Sequence, residues 1–131
     1  MIKLYTDAGL NTNQNLAAIA YVYSTDNDSY SFSRPEKELD NHYLEFLAVL
    51  EALKDLDQKN LTNDILQLKT DSQIVVDSID KHYSKHYQEM VDLIMPLLEK
   101  FPMYFVKHIA DKDNGAAHTL VHQELIHLRN I

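Results

Sequence analysis

The sequence contains no cysteine, no long apolar run and fewer cationic than anionic side chains. Without cysteine it can form neither disulfides nor thiolate metal sites, and nothing in it asks for an oxidising compartment. No stretch approaches the roughly 20 apolar residues of a membrane span, and the N-terminus runs straight into the strand-like Ile2-Lys3-Leu4-Tyr5 without a basic and then apolar leader. The expectation is a cytoplasmic protein with no membrane contact. With 12 basic against 20 acidic residues, a net charge of -8, the chain does not hold nucleic acid mainly through a broad cationic face. That objection weakens where several acids form a cluster neutralised by bound cations. There is no internal repeat, linker or low-complexity segment. At 131 residues and 45% hydrophobic content, the sequence predicts one domain over 1–131, monomeric in the simplest case, burying roughly two-thirds of its unfolded surface.

The order in which the periodicity changes predicts the architecture. Ile2 to Thr6 is a short apolar run, Leu16 to Ser24 is rich in Ala, Ile, Val and Tyr, and Tyr30 to Ser33 follows the polar turn Thr25 to Ser29. Three antiparallel strands are expected. From Asp40 the apolar residues Tyr43, Leu44, Leu47, Leu50, Leu53 and Leu56 recur at helical spacing, with Asp40 or Asn41 as N-cap. Ile65, Leu66 and Leu68 make a buried strand ending at Thr70-Asp71, and Ser72 caps a helix carrying Ile74, Val75 and Ile79. A helix over Met90 to Phe101, kinked or broken at Pro96, a strand over Met103 to Ile109 and a helix over Asn114 to Leu128 complete the chain. The predicted fold class is α/β, a mixed five-stranded sheet whose first three strands are antiparallel and later strands parallel, with helices packed on it.

Four separated stretches put a metal-ligating side chain at the end or inside of one of these elements. They are Thr6-Asp7-Ala8-Gly9, Asn41-His42-Tyr43-Leu44-Glu45, Thr70-Asp71-Ser72-Gln73 and Asn114-Gly115-Ala116-Ala117-His118. Ligands in open sheets collect at the carboxyl ends of central strands, where Asp7 and Asp71 are expected. Taken singly each has an ordinary reading: an aspartate ending a strand caps a helix, and a glutamate on a helix is solvated. Their order, spacing and element context together are much harder to obtain by chance. Three carboxylates and one imidazole converging from distant parts of the chain would hold divalent metals, which are what hydrolysis of a phosphodiester at neutral pH most needs, and the expectation is a nuclease.

These residues resemble the motifs of type-1 ribonuclease H, the family that cuts the RNA strand of RNA-DNA hybrids, over nearly the whole chain. The opening Thr-Asp-Gly motif is matched by Thr6-Asp7-Ala8-Gly9, the approach to a helical glutamate by Asn41 to Glu45, and Thr-Asp-Ser-Gln by Thr70 to Gln73. The closing Asn-x-x-Ala-Asp motif is matched by Asn114 to Ala117, and then His118 stands where the family has its fourth aspartate. The resemblance is to the short form, because between the helix after Asp71 and the last strand there is only Lys81 to Tyr87 and one helix, and the basic protrusion of longer members is absent. The glycine-rich stretch after the first aspartate is replaced by Leu10 to Asn15, and no histidine-bearing loop precedes the last helix, where Ala110-Asp111-Lys112-Asp113 is short and different.

The resemblance implies two divalent ions, Mg²⁺ or Mn²⁺, held by Asp7, Glu45, Asp71 and His118, with an RNA-DNA hybrid as substrate. It implies substrate contacts from Gly9, Asn13, Asn41, Ser72 and Gln73, short groups suited to reading 2′-hydroxyls in a shallow minor groove. A histidine at the fourth position gives up a negative charge and is softer, which favours Mn²⁺ over Mg²⁺. The slicing domain of Argonautes, similar in fold, tolerates histidine there.

Other readings are open to the same residues. The histidine pairs His118/His122 and His82/His86 have zinc-compatible spacing, but neither is followed by the glutamate of a metalloprotease signature. Tyr83 and Tyr87 with Lys81 and Lys85 form either a small phosphate-facing or stacking patch or an amphipathic edge. A proofreading-type exonuclease is disfavoured because Asp7 is followed by Ala8 and Gly9, not by a second acid. The alternative to a nuclease is a catalytically silent relative that binds nucleic acid or protein, motivated by His118, the missing protrusion and the net charge.

Overall fold

Alternation along the first strand divides the sheet into two faces. In β1 (Ile2–Asn11) Ile2 and Leu4 are buried while Lys3 between them is exposed, the period expected of a pleated strand. The computed structural model describes residues 1–131. It adds β2 (Leu16–Ser24), β3 (Ser29–Glu36), α1 (Asn41–Gln58), β4 (Ile65–Thr70), α2 (Gln73–Lys81), α3 (Gln88–Leu98), β5 (Met103–His108) and α4 (Gly115–Arg129). The sheet order is β3-β2-β1-β4-β5. The pairs β1–β2 and β2–β3 are antiparallel and β1–β4 and β4–β5 parallel, the mixed sense that the sequence predicts. No helix is long and apolar enough to cross a membrane.

β1 runs five residues past the apolar run that marks it. Asp7 to Asn11 pair in register with Ala20 to Leu16, so ladder hydrogen bonds with β2, not side-chain hydrophobicity, carry the strand on. Helix α1 covers one face: Asp40 caps it, accepting from the backbone N–H groups of His42 and Tyr43 at 3.1 and 3.3 Å, and its Leu44, Leu47, Leu50 and Leu53 join Leu4, Ile19, Leu66 and Leu68 in the main core. Helix α4 covers β1, β2 and β3 on the other face, where Ala18 and Ala20 meet Val121. Small residues are required there, since a Cβ added at Gly9 would stand 2.6 Å from Val121 Cγ1.

With glycine so scarce, left-handed backbone falls to other residues. Asn15 in the β1–β2 turn, Asn60 beyond α1 and His82 at the end of α2 have φ of 53°, 58° and 55°. Pro96 does not end its helix. It lies in the last turn of α3, one turn after the exposed Asp92, whose carbonyl it leaves without the usual intrahelical donor. His82 and His86 lie beyond α2, at its C-cap and in the following turn, so they are not a pair on one helical face.

Candidate active site

The parallel pairing of β1 and β4 fixes the centre of the site. Thr6 is the register partner of Thr70, so Asp7, the next residue of β1, and Asp71, just past the end of β4, stand side by side at about one strand spacing, ~4.8 Å. Asp7 is 6% exposed and Asp71 is half-buried. Glu45, in the second turn of α1, is brought over the same edge with its side chain 15% exposed. Asn41, one turn earlier, donates from Nδ2 to Glu45 Oε1 at 2.9 Å and restricts that carboxylate.

From the other side of the edge comes the first turn of α4. Its start is tied down by Asn114, fully buried, whose Nδ2 donates to the carbonyl of Thr6 at 2.8 Å. One turn on, His118 sets Nδ1 3.4 Å from Asp7 Oδ2 and 3.8 Å from Asp111 Oδ1. His118 is therefore at the site, with 58% of its side chain exposed.

Asp111 is the residue that motif reading misses. It sits on a single 3-10 turn, Asp111–Asp113, between β5 and α4, close enough to Asp71 for its carboxylate to raise that residue's pKa. A signal was available: a βα connection in a parallel sheet crosses the strands' carboxyl edge, so an acid placed just after β5 arrives beside Asp71. His108 was missed too, with Nε2 3.2 Å from the carbonyl oxygen of Asp71.

Crowding four carboxylates at one edge changes their chemistry. Burial pushes Asp7 up to about 6, Asp111 adds to the rise, and the Ala8 backbone N–H and His118 oppose it. Asp71 is pushed up to about 7, first by burial, then by its hydrogen bond with Asp111 and by the charges of Asp7, Asp111 and Glu45. Strain of this kind is what a divalent cation relieves, and oxygen donors with one imidazole suit Mg²⁺ or Mn²⁺. The donor chemistry fits such ions. The side chains are nonetheless not drawn into a cage: no three His, Asp or Glu groups stand close enough together to hold an ion as they are.

The five expected substrate contacts separate into two groups. Asn13 is exposed in the β1–β2 turn, Asn41 is exposed at the start of α1, and Gln73 is exposed with Nε2 on Asp77 at 2.8 Å. Gly9 faces Val121 under α4, and Ser72 is buried with its hydroxyl accepting from the Val75 N–H at 3.3 Å, so packing and capping occupy these two. Of the Lys81 to Tyr87 patch, Tyr83 is exposed and lines a hollow with Lys81, Lys85 and Gln73. Tyr87 instead stacks on Phe46 at 5.3 Å and donates to Asp40 at 2.7 Å, which removes it from any stacking surface.

The sequence matches the reverse transcriptase-like family over residues 5–124. It is 31% identical over 127 residues to "Putative hydrolase EbsB" of Enterococcus faecalis, covering 95% of this chain and 94% of that protein. Among solved structures it is similar to RNase H1 from the halophilic archaeon Halobacterium salinarum, with a TM-score of 0.84 and 19% identity over 96% of this chain and 98% of that one. It is equally similar to LC11-RNase H1 in complex with an RNA/DNA hybrid, with a TM-score of 0.84, 24% identity, and coverage of 98% and 99%. At these identities the structures establish a shared fold.

Proposed function

Because the chain belongs to the reverse transcriptase-like family and has the ribonuclease H fold, we propose that it is a metal-dependent endonuclease that hydrolyses the RNA strand of RNA-DNA hybrids. The observation that carries the reading is the emergence of Asp7 and Asp71 side by side from adjacent parallel strands, with Glu45 and His118 brought over the same edge from two helices. Asp7, Glu45, Asp71 and His118 are the groups that would hold two divalent ions, which when bound supply a hydroxide at neutral pH and stabilise the leaving 3′ oxygen.

The chain's own residues prepare for that role. Asn41 holds Glu45 by its hydrogen bond, Asn114 ties the start of α4 to β1, and His118 lies against Asp7. Asn13, Asn41 and Gln73, exposed amides near or along this edge, are the groups placed to meet the hybrid's minor groove and backbone, Asn41 and Gln73 by exchanging their bonds to Glu45 and Asp77. An imidazole ligand at position 118, where the related motif has a carboxylate, shifts the preference toward Mn²⁺ over Mg²⁺.

The test is cleavage of a labelled hybrid, with RNA, DNA and double-stranded RNA controls, in Mg²⁺ and separately in Mn²⁺, beside Asp71→Asn. Hybrid-selective cutting that disappears in the variant is the expected result. The second reading, a silent binding relative, is favoured by the ungathered donor groups. Folded wild-type protein that cuts nothing in either metal would establish it in place of the nuclease.

A further inference from the structure

We infer that the uncovered part of the sheet, on the face shared with Asp7 and Asp71, binds single-stranded nucleic acid. Helix α4 packs on β1, β2 and β3, and the outward face of β4 and β5, together with the N-terminal half of β1, is left open. Strand alternation and register decide what stands there. Tyr5 pairs with Lys69 and Lys69 with Lys107, making one row across the sheet. Lys3 pairs with Gln67 and Gln67 with Phe105, making the next. The side chains confirm the shared face: Lys69 Nζ lies 3.5 Å from the Tyr5 hydroxyl and 5.4 Å from its ring centroid. Gln67, Lys69, Phe105 and Lys107 line a hollow of about 130 Å³.

The composition of this face is opposite to that of the molecule. A chain with a net charge of -8 has three lysines here, and no outward position of β1, β4 or β5 carries an acid until Asp7 and Asp71 are reached at the far end. Phe105 is 51% exposed, far more than an aromatic ring needs for packing. Cations set between aromatic rings match a phosphate backbone with its bases, and they select single strands because the faces of paired bases are already stacked on one another. The strip measures about 13 Å along the strands and about 10 Å across, narrow enough to escape the overall acidity. Its upper end abuts the acidic edge, so a strand lying on it points to the place of cleavage. Binding itself needs no cleavage. Only its use, to hold the unpaired end of a hybrid, rests on the nuclease reading.

The experiment measures anisotropy of a labelled 12-nucleotide oligothymidylate with the full chain in EDTA across a salt series, together with cleavage of blunt and single-strand-extended hybrids in Mn²⁺. Lys3→Glu/Lys107→Glu and Phe105→Ala change exposed side chains, so both are expected to fold. The expected result is binding whose log-log salt slope is about -2, as three lysine contacts require. The charge reversal should weaken it tenfold or more and Phe105→Ala about fivefold, with the extended hybrid losing its advantage and the blunt one cut as before. Absent oligonucleotide binding, or binding that neither variant changes, overturns the inference. Loss of self-association in Phe105→Ala with unchanged oligonucleotide binding would also overturn it, assigning the face to a second copy of the chain. The two readings fail separately: a hybrid never cut by a protein that binds the oligonucleotide through this face removes the nuclease and leaves the surface.

Discussion

A carboxylate oxygen of Asp111 lies 3.8 Å from Nδ1 of His118, the two residues facing each other across the start of α4. The position at which the related motif carries an acid holds an imidazole, and an acid comes to the same place from seven residues earlier. The edge thus keeps four carboxylates, Asp7, Glu45, Asp71 and Asp111, beside the imidazole.

Replacing the imidazole by a carboxylate tests what it does. His118→Asp restores a hard, charged donor next to Asp7, so cleavage in Mg²⁺ should rise several-fold relative to cleavage in Mn²⁺. The ratio of initial rates in the two metals is the quantity to compare. A ratio equal to that of the wild type would remove His118 from contact with either ion.

The raised carboxyls give stability a definite pH dependence. Asp7 at about 6 and Asp71 at about 7 both lie above the ordinary aspartate value of 3.8. Between pH 4 and 7 the folded chain therefore binds more protons than the unfolded one, and stability falls as pH rises through that window. The metal-free protein should melt several degrees lower at pH 8 than at pH 5. Asp71→Asn should flatten the slope, and Mn²⁺ should raise the melting temperature more at pH 8 than at pH 5. A melting temperature that climbs from pH 5 to 8 without metal would show that these two carboxyls are not held in the protonated form.

How far the sequence foretold this arrangement depends on which kind of information fixed each part. Apolar runs and periodicity marked the buried helices and strands, because burial of one face dictates them, and motif order singled out Asp7, Glu45, Asp71 and His118, which the fold brings to one edge. The polar end of β1 and the unbroken helix through Pro96 were not legible. Asp7 to Asn11 are held by pairing with β2, and the proline is tolerated because Asp92 is exposed, and both are tertiary facts. Asp111 has no periodicity and no motif of its own. Its role follows only from the crossing of the sheet edge by its loop.

Gly9 has a packing role that a substitution can expose. Alanine there places a methyl group 2.6 Å from Val121 Cγ1 and must push α4 away from β1, at a cost of about 1–3 kcal/mol. Gly9→Ala should accordingly lower the melting temperature and weaken Mn²⁺ binding, since α4 carries His118. Adding Val121→Ala should recover most of the loss measured in thermal melts. If the double variant is no better than the single one, the clash with α4 is not the cause.

Asn114 distinguishes a buried donor from a helix cap. It precedes α4, where asparagine and aspartate are about equally good caps, yet its side chain makes no capping hydrogen bond. Its Nδ2 is instead spent on the Thr6 carbonyl, while Oδ1 has no partner. Asn114→Ala loses that bond in a buried site and should cost about 1–3 kcal/mol, roughly 3–10 °C in melting temperature. Asn114→Asp separates the two roles. A cap would tolerate the change or gain from the negative charge at the helix N-terminus. A donor to Thr6 would be replaced by a carboxylate facing a carbonyl, buried and close to Asp7. Asn114→Asp should therefore be at least as damaging as Asn114→Ala in thermal melts, and more so at pH 8 than at pH 5. An aspartate variant as stable as the wild type at pH 8 would assign Asn114 to capping alone and release α4 from its tie to the strand that carries Asp7.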